Sequence, residues 1–305
     1  MEVKTNSMRA WLLAARPKTL TGALIPVMLA GGLAWHDGVM RCDLLLCCAL
    51  FACLMQVAAN MINDLYDCLR GTDREDRLGP ERACQQGWIT PGAMRWGIGV
   101  VVGLACLVGL AAVALCRERL PWHGWECVAL GGVCVVAAFL YTTCLSYLGL
   151  GDVLVLVFFG LVPVCGSYYL MAQDMPPTSL LVGLMSGVCI DALLVINNYR
   201  DRDQDRISGK RTLVVLLGEP FGRGLYLAIG VVAVALCLVL MPMLGPVAHP
   251  AALCAPPCLY MVLHLRTWLE VCRIRQGRAL NKMLGETSRN MFVFAILQAA
   301  AIAFC

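Results

Sequence analysis

Long stretches without a single Asp, Glu, Lys or Arg dominate this 305-residue chain. Five of them cover residues 44–63, 96–116, 127–151, 153–173 and 224–265. The first four have about the length of one bilayer crossing, since a helix needs roughly 20 apolar residues to span the hydrocarbon core. The last is long enough for two crossings. It contains MPMLGPVAHP (241–250), whose three prolines and one glycine predict a turn there.

The composition excludes a soluble globular domain. Hydrophobic residues make up 60% of the chain and charged residues 14%, whereas a soluble domain is about half apolar and a quarter charged. Backbone groups in lipid must find partners within their own segment, so helices are expected. We predict an all-α membrane protein, a single domain over residues 1–305, with about nine transmembrane helices near 19–36, 43–62, 95–116, 126–145, 149–171, 177–198, 222–241, 248–265 and 288–305.

Basic residues predict the orientation of these spans. If the N-terminus lies in the cytoplasm, all of the 24 Lys and Arg residues except Arg41, Arg117 and Arg119 fall on the cytoplasmic side. Such an asymmetry follows the positive-inside rule for membrane proteins. The net charge of +4 is modest and indicates no nucleic-acid partner.

A first charged cluster, NMINDLYDCLRGTDREDRLGPER (60–82), follows the second predicted span and holds six acidic and four basic residues. Asn60, Asp64 and Asp67 recur at i, i+4 and i+7, and Asn63 shares their broad helical face. Gly71 is expected to end that helix. The loop that follows mixes both signs of charge: Asp73, Arg74, Glu75, Asp76, Arg77 and Arg82.

A second cluster, INNYRDRDQDRISGKRT (196–212), repeats the pattern after the sixth predicted span. Asn197, Asp201 and Asp205 recur every four residues, with Asn198 beside them. Asp203 is expected to point away from this stripe, because successive helical residues are rotated by about 100°. Charged loops flank spans in many membrane proteins, and solvated charges are the alternative for either cluster alone. Two similar clusters on one side of the membrane favour a shared site.

The residue types of both clusters suit a metal and an anion together. Carboxylate and amide oxygens suit Mg²⁺, which is usually held by one or two carboxylates plus substrate phosphates. Basic side chains among them favour an anion carried by the metal, and Arg binds two phosphate oxygens at once. Lys210 and Arg211, which follow the helix end expected at Gly209, extend this basic set. We predict a Mg²⁺–diphosphate site above an apolar interior, suited to a polyprenyl diphosphate.

Several strings resemble the UbiA-type membrane prenyltransferases. NDLYDCLRGTDREDR and NNYRDRDQDRISGKRTL resemble the two aspartate-rich motifs of that family. Similarity to the branch that prenylates 1,4-dihydroxy-2-naphthoate in menaquinone synthesis extends over nearly the whole chain: ARPKTL (15–20), RLGPERACQQGWITP (77–91), YLGLGDVLVLVFFGLVPVCGSYYL (147–170), GKRTLVVLLG (209–218) and LNKMLGETSRN (280–290). The resemblance implies a UbiA-type fold, with the helices around a central cavity that opens sideways to lipid.

The resemblance also implies roles for individual residues. The implied Mg²⁺ ligands are Asn63, Asp64, Asp67, Asp201 and Asp205. Lys210 and either Arg70 or Arg77 would hold diphosphate oxygens, and Asn197 would lie beside the second set of ligands. The other residues expected to bind substrate are Asn60, Asn198 and Arg211. Tyr141 resembles a tyrosine that the family places near the reacting carbon.

Two further carboxyl groups are candidates. Asp191 lies inside the sixth predicted span, two turns deeper than Asn198 and on the same helical face. An intramembrane carboxyl group is costly and usually lines a functional cavity, so Asp191 is expected to contact the acceptor hydroxyl or relay a proton. The alternative is a neutral or helix-paired carboxyl group. Asp152 opens the fifth span and is expected to face the site, with helix N-capping as the alternative.

The resemblance implies transfer of a polyprenyl group from an allylic polyprenyl diphosphate to 1,4-dihydroxy-2-naphthoate at the bacterial cytoplasmic membrane. Carbon dioxide and diphosphate would leave, and a demethylmenaquinone would form. Other aromatic acceptors, 4-hydroxybenzoate or homogentisate, are alternatives. So is a non-catalytic transporter of polyprenyl-phosphate lipids, which would need ionisable residues on both halves of the membrane. The nearly uncharged outer loops favour the enzyme.

Overall fold

A computed structural model describes residues 3–71, 77–246 and 250–305. This part of the chain forms helices, turns and loops without a strand, which confirms the all-α prediction. A π-helical turn, Val157–Leu161, joins two helices into one continuous segment. The α-helices are α1 (Met8–Ala15), α2 (Leu20–His36), α3 (Cys42–Arg70), α4 (Pro91–Cys116), α5 (Trp125–Thr143), α6 (Gly151–Leu156), α7 (Val162–Ala172), α8 (Pro177–Ile207), α9 (Leu213–Leu217), α10 (Glu219–Leu240), α11 (Pro250–Ile274) and α12 (Leu280–Ala303).

The predicted spans coincide with the long helices. In the described residues, seven helical segments are long and apolar enough to cross a membrane: Met8–His36, Cys42–Arg70, Pro91–Arg119, Trp125–Thr143, Gly151–Ala172, Pro177–Ile207 and Glu219–Leu244. The last two predicted spans fall on α11 and α12, which are long helices outside that set. The protein is therefore an integral membrane protein, and the count of nine spans stays a prediction.

Two helices continue past their predicted membrane spans, to near the helix ends expected at Gly71 and Gly209, and carry the charged clusters. The second span was expected to end at 62, but α3 continues to Arg70. The sixth was expected to end at 198, but α8 continues to Ile207. Gly71 ends α3 with a positive φ of 65°, as its position predicted, because glycine adopts this left-handed conformation without a side-chain clash. Both clusters therefore stand on helical extensions beyond the apolar runs.

The centre of the bundle is α8, which packs against α2, α6, α7, α10 and α12. Glycines allow its closest approach. A Cβ atom added to Gly160, in the π turn, would lie 2.5 Å from the carbonyl oxygen of Gly183 and 2.8 Å from the Cα of Gly187. Only glycine permits such backbone proximity between helices. This contact holds α6 against the helix that carries the second cluster.

The loop after α3 folds back over the end of that helix. Its residues Ala83, Cys84 and Ile89 are buried in a small apolar cluster with α1, α3 and the start of α4. Asp73, Arg74, Glu75 and Asp76 of the first charged cluster lie outside the described residues. The described part of the loop, from Arg77 onwards, forms one wall of the pocket described next.

Candidate active site

The ends of α3 and α8 meet at a polar pocket of about 220 Å³. Residues from both charged clusters line it, together with the start of α6 and the loop after α8. The structure brings the following predicted site residues together in its lining: Asn63, Asp67, Arg77, Tyr141, Asp152, Asn197, Asn198, Asp201, Asp205 and Lys210. Side chains from two helices about 140 residues apart in sequence thus share one site.

Only some of the polar residues of the first cluster line the pocket. Asn63 lines the pocket and accepts a hydrogen bond of 2.6 Å from the Thr142 hydroxyl group. Asp67 lines it as well, and its Oδ2 lies 3.0 Å from Nη2 of Arg82. Both charged side chains of this pair are more than nine-tenths buried, so the ion pair is strongly shielded from water.

Asp64 and Asn60 lie outside the pocket lining. The Asp64 carboxylate accepts hydrogen bonds from the backbone N–H groups of Ala83, at 2.8 Å, and Cys84, at 3.1 Å. It therefore holds the loop over the end of α3. The Asn60 amide donates to the carbonyl oxygen of Ala15 and the hydroxyl of Thr19, and so ties α3 to the start of α2. Their predicted roles at metal and substrate stay predictions.

The second cluster follows the expected helical phase. Asp201 and Asp205 line the pocket, whereas Asp203 is exposed. The predicted ligand Asp201 is engaged by its sequence neighbour: Nε and Nη2 of Arg200 lie 2.7 Å and 2.5 Å from its two carboxylate oxygens. Nη2 of Arg200 also donates to the side-chain oxygen of Asn197, at 2.7 Å.

The predicted basic residues divide between the pocket and its surroundings. Arg77 and Lys210 line the pocket, and the Lys210 ammonium group lies 5.9 Å from the ring centre of Tyr147. Arg70 lies outside the lining. It donates to the carbonyl oxygens of Thr142 and Thr143, and its guanidinium group lies 5.2 Å from the same ring. Arg211 is exposed and also outside the lining.

Tyr141 and the two further carboxyl groups occupy different places. Tyr141 lines both the polar pocket and the apolar cavity below. Asp152 lines the pocket and is nearly fully buried, with one carboxyl oxygen lacking a hydrogen-bond partner within the described chain. Asp191 is buried in α8 and lines neither space, although it was expected on the face of Asn198. Its predicted contact with the acceptor stays a prediction.

Several polar residues of the pocket were absent from the predicted set. They come from the junction of α1 and α2, the loop after α3, the end of α5 and the loop after it, and α8 with the loop that follows: Arg16, Arg82, Thr142, Ser146, Arg200, Gln204, Ser208 and Thr212. Arg200 is adjacent to Asp201 within the second cluster, and this proximity could have identified it as a pocket residue from the sequence. Arg16 belongs to the string ARPKTL (15–20), which was noted only as part of the family resemblance, and it lines the pocket.

A large cavity continues from the pocket into the bundle, with a volume of about 2390 Å³. Its walls are mainly apolar side chains of α2, α3, α4, α5 and α7, and it reaches Val113 and Val128 near the opposite ends of α4 and α5. The residues that line both spaces are Arg16, Asn63, Arg77, Pro80, Tyr141, Leu194, Asn197 and Arg200. The polar pocket is thus the head of an apolar channel through the bundle.

Fold and pocket together define an integral membrane protein with a charged site at one end of a long apolar cavity. The chain belongs to the UbiA prenyltransferase family, whose sequence model matches residues 23–280. It is 40% identical over 222 residues to the 1,4-dihydroxy-2-naphthoate octaprenyltransferase of Escherichia coli (strain K12), covering 72% of this chain and 71% of that protein. It is 34% identical over 302 residues to the Mycobacterium tuberculosis protein of the same name, covering 98% of each.

Solved structures show the same fold. A UbiA homolog from Archaeoglobus fulgidus, bound to DMAPP and Mg²⁺, aligns with a TM-score of 0.65 at 12% identity, over 97% of this chain and 99% of that one. A UbiA homolog from Aeropyrum pernix K1 aligns with a TM-score of 0.68 at 17% identity, over 92% and 96%. Both align over nearly their whole length, which confirms the expected UbiA-type architecture.

Proposed function

We propose that this protein transfers a polyprenyl group from an allylic polyprenyl diphosphate to 1,4-dihydroxy-2-naphthoate. Carbon dioxide and diphosphate leave, and the product is a demethylmenaquinol, the reduced form of a demethylmenaquinone. The observation that carries the proposal is the continuity of the charged pocket with the apolar cavity, which matches a substrate with an anionic head and a hydrocarbon tail. The names of the Escherichia coli and Mycobacterium tuberculosis relatives support the aromatic acceptor.

The size of the cavity supports a long donor. Pockets for small molecules typically measure about 300–1,000 Å³, whereas this cavity measures about 2390 Å³. Its apolar walls extend from Asn197 to Val113 and Val128 at the far side of the bundle. A polyprenyl tail gains free energy along such walls because its apolar surface leaves water.

The side chains at the pocket fit Mg²⁺ shared with a diphosphate. The pocket lining includes side-chain oxygens of Asn63, Asp67, Asp201 and Asp205, and hard oxygen ligands suit this ion. Within the described ranges, no group of three or more His, Cys, Asp or Glu side chains is close enough to hold a metal. Mg²⁺ is usually held by one or two carboxylates and completed by substrate phosphates. Bound there, Mg²⁺ would neutralise charge on the departing diphosphate.

The chain's own residues then divide the work of the reaction. Arg77 and Lys210 face the diphosphate and stabilise the negative charge that grows as the donor's C–O bond breaks. Tyr141, at the junction of pocket and cavity, faces the allylic carbon as it becomes cationic. The electron-rich ring attacks that carbon, and the ring carboxylate departs as CO₂. The apolar walls exclude water, which would otherwise quench the cation.

The proposal places the pocket at the cytoplasmic face of the bacterial inner membrane. The asymmetric distribution of Lys and Arg supports this orientation, since only Arg41, Arg117 and Arg119 would lie on the outer side. Arg77 and Lys210 would then meet the diphosphate head at the surface where water-soluble aromatic acids arrive.

A labelled polyprenyl diphosphate, offered to membranes that contain the protein, tests the function. 1,4-Dihydroxy-2-naphthoate, 4-hydroxybenzoate and homogentisate are supplied separately, with membranes lacking the protein as the control. We expect a labelled lipid-soluble quinol only with the first acid. Transfer to one of the other acids would move the protein to another acceptor branch. Donor binding without transfer to any acid would favour the transporter.

A further inference from the structure

The Arg200 side chain is the centre of a buried polar network. Only 3% of this residue is exposed, although Arg is rarely buried without partners. Its guanidinium group makes two hydrogen bonds to Asp201, one to the oxygen of Asn197, and one of 2.8 Å from Nη1 to the side-chain oxygen of Asn281. Arg200 therefore joins the ligand face of α8 to the start of α12.

Asn281 continues the network to the loop over the pocket. Its amide nitrogen donates to the carbonyl oxygen of Leu78 at 2.8 Å. The next residue, Gly79, packs against the guanidinium group: an added Cβ atom would lie 2.9 Å from Nη2 of Arg200. This loop also carries Arg77 into the pocket. One arginine and one asparagine thus connect Asp201 with the loop that supplies a predicted diphosphate contact.

We propose that Arg200 and Asn281 form a clasp that fixes the loop at 77–80 to α8 and thereby sets the affinity for the donor diphosphate. The identity of the donor rests on the proposed function. The physical reason is entropic: a loop without these contacts must be ordered when the diphosphate binds, and ordering the backbone reduces the affinity. The clasp orders Arg77 beforehand. Arg200 and Asn281 are positioning residues in this scheme.

Arg200→Lys and Asn281→Ala distinguish an effect of the hydrogen-bonded clasp from an effect of net charge, because neither substitution changes the charge. Arg200→Lys keeps the positive charge but loses the planar fork that binds several acceptors at once. Asn281→Ala leaves Arg200 and Asp201 in place and removes the link to Leu78. Arg206→Lys and Lys282→Ala are matched controls, because both residues are exposed neighbours on the same two helices and lie outside the pocket lining.

Two measurements test the clasp: hydrogen exchange of the loop and the KM for the donor. Hydrogen exchange of the purified protein, without substrate, reports the loop directly. We expect faster exchange of backbone amides at 77–84 in both variants and wild-type exchange in both controls. Initial rates then give the KM for the donor, which should rise about tenfold or more, as expected for a lost hydrogen bond to a charged group. The KM for the aromatic acceptor should stay within about twofold, a change typical of sites outside the perturbed contact.

The double variant decides whether the two residues act as one unit. If they do, Arg200→Lys with Asn281→Ala should cost no more than the larger single effect, since either change opens the clasp. Multiplied effects on the donor KM would overturn the proposal, as would wild-type exchange at 77–84 in Asn281→Ala. Faster loop exchange with an unchanged donor KM would also overturn it. If the wild-type protein transfers no prenyl group, the proposed function is wrong. The hydrogen-exchange measurement still tests whether Arg200 and Asn281 hold the loop, because it needs no substrate.

Discussion

Replacing Asp205 and Asp203 by asparagine compares two carboxylates on one helix. They are two residues apart near the end of α8, and they face different surroundings. Asp205 is half-buried in the pocket lining, whereas Asp203 is exposed. Each substitution removes one negative charge and hardly changes the shape of the side chain. Neither lies inside an apolar run, so both proteins should insert normally.

The expected magnitudes follow from these surroundings. Asp205 is a predicted Mg²⁺ ligand, and the loss of one charged ligand should weaken the binding of metal and diphosphate together, which raises the barrier by about 2.7 kcal/mol. Since about 1.36 kcal/mol corresponds to a tenfold change, Asp205→Asn should lower the rate by about 100-fold or more. Asp203→Asn should lower it by less than about tenfold, because an exposed charge is well solvated and screened.

Initial rates of prenyl transfer in membranes, normalised to the amount of inserted protein, measure both effects. Asp201→Asn is expected to behave like Asp205→Asn, since Asp201 lies one turn away and lines the same pocket. Equal losses at 201, 203 and 205 would refute the reasoning from helical phase. An inactive Asp203→Asn protein beside an active Asp205→Asn protein would overturn the assignment of the ligand face.

Three further results are expected. Chelation by EDTA should abolish prenyl transfer and added Mg²⁺ should restore it, because the pocket offers hard oxygen ligands; full activity in chelated membranes would contradict the metal assignment. With carboxyl-labelled dihydroxynaphthoate, labelled CO₂ should appear in step with prenylation, and a product that retains the label would indicate another reaction. Gly160→Ala should destabilise the protein by about 1–3 kcal/mol in thermal unfolding, since its Cβ would meet the α8 backbone. Gly99→Ala on α4 should leave the stability unchanged, because a Cβ atom added there meets no other atom within 4 Å. Equal destabilisation of the two variants would show that the close packing against α8 is not the cause.

The apolar runs were enough to predict the helices, because a segment that lacks charges over a bilayer's thickness has few alternatives to a membrane helix. The ends of the two charged helices were predicted from glycines instead, at Gly71 and Gly209. The polar extensions of α3 and α8 continue to Arg70 and Ile207, well beyond the apolar runs. Hydropathy ends where the lipid ends, whereas the helix ends only where a glycine or a loop breaks its hydrogen bonds.

Helical periodicity predicted the pocket face of α8 correctly but was less decisive for α3. Asn63 and Asp64 are adjacent and therefore about 100° apart around the helix. Asn63 faces the pocket, whereas Asp64 binds the backbone of the loop at Ala83 and Cys84. Both orientations are compatible with one broad polar face. The choice depends on where the loop docks, and that docking involves residues about 20 positions further along the chain.

Local composition, spacing and motif were therefore enough to predict the membrane-spanning character, the two polar helix ends and the family. Only the tertiary structure decided which polar atoms meet. Arg200 and Asn281 are 81 positions apart and touch because α8 and α12 pack side by side. Asp191 shares a helix with Asn198 but lies outside the pocket, because neighbouring helices cover that part of α8. Contacts between distant segments follow from helix packing, which no local pattern encodes.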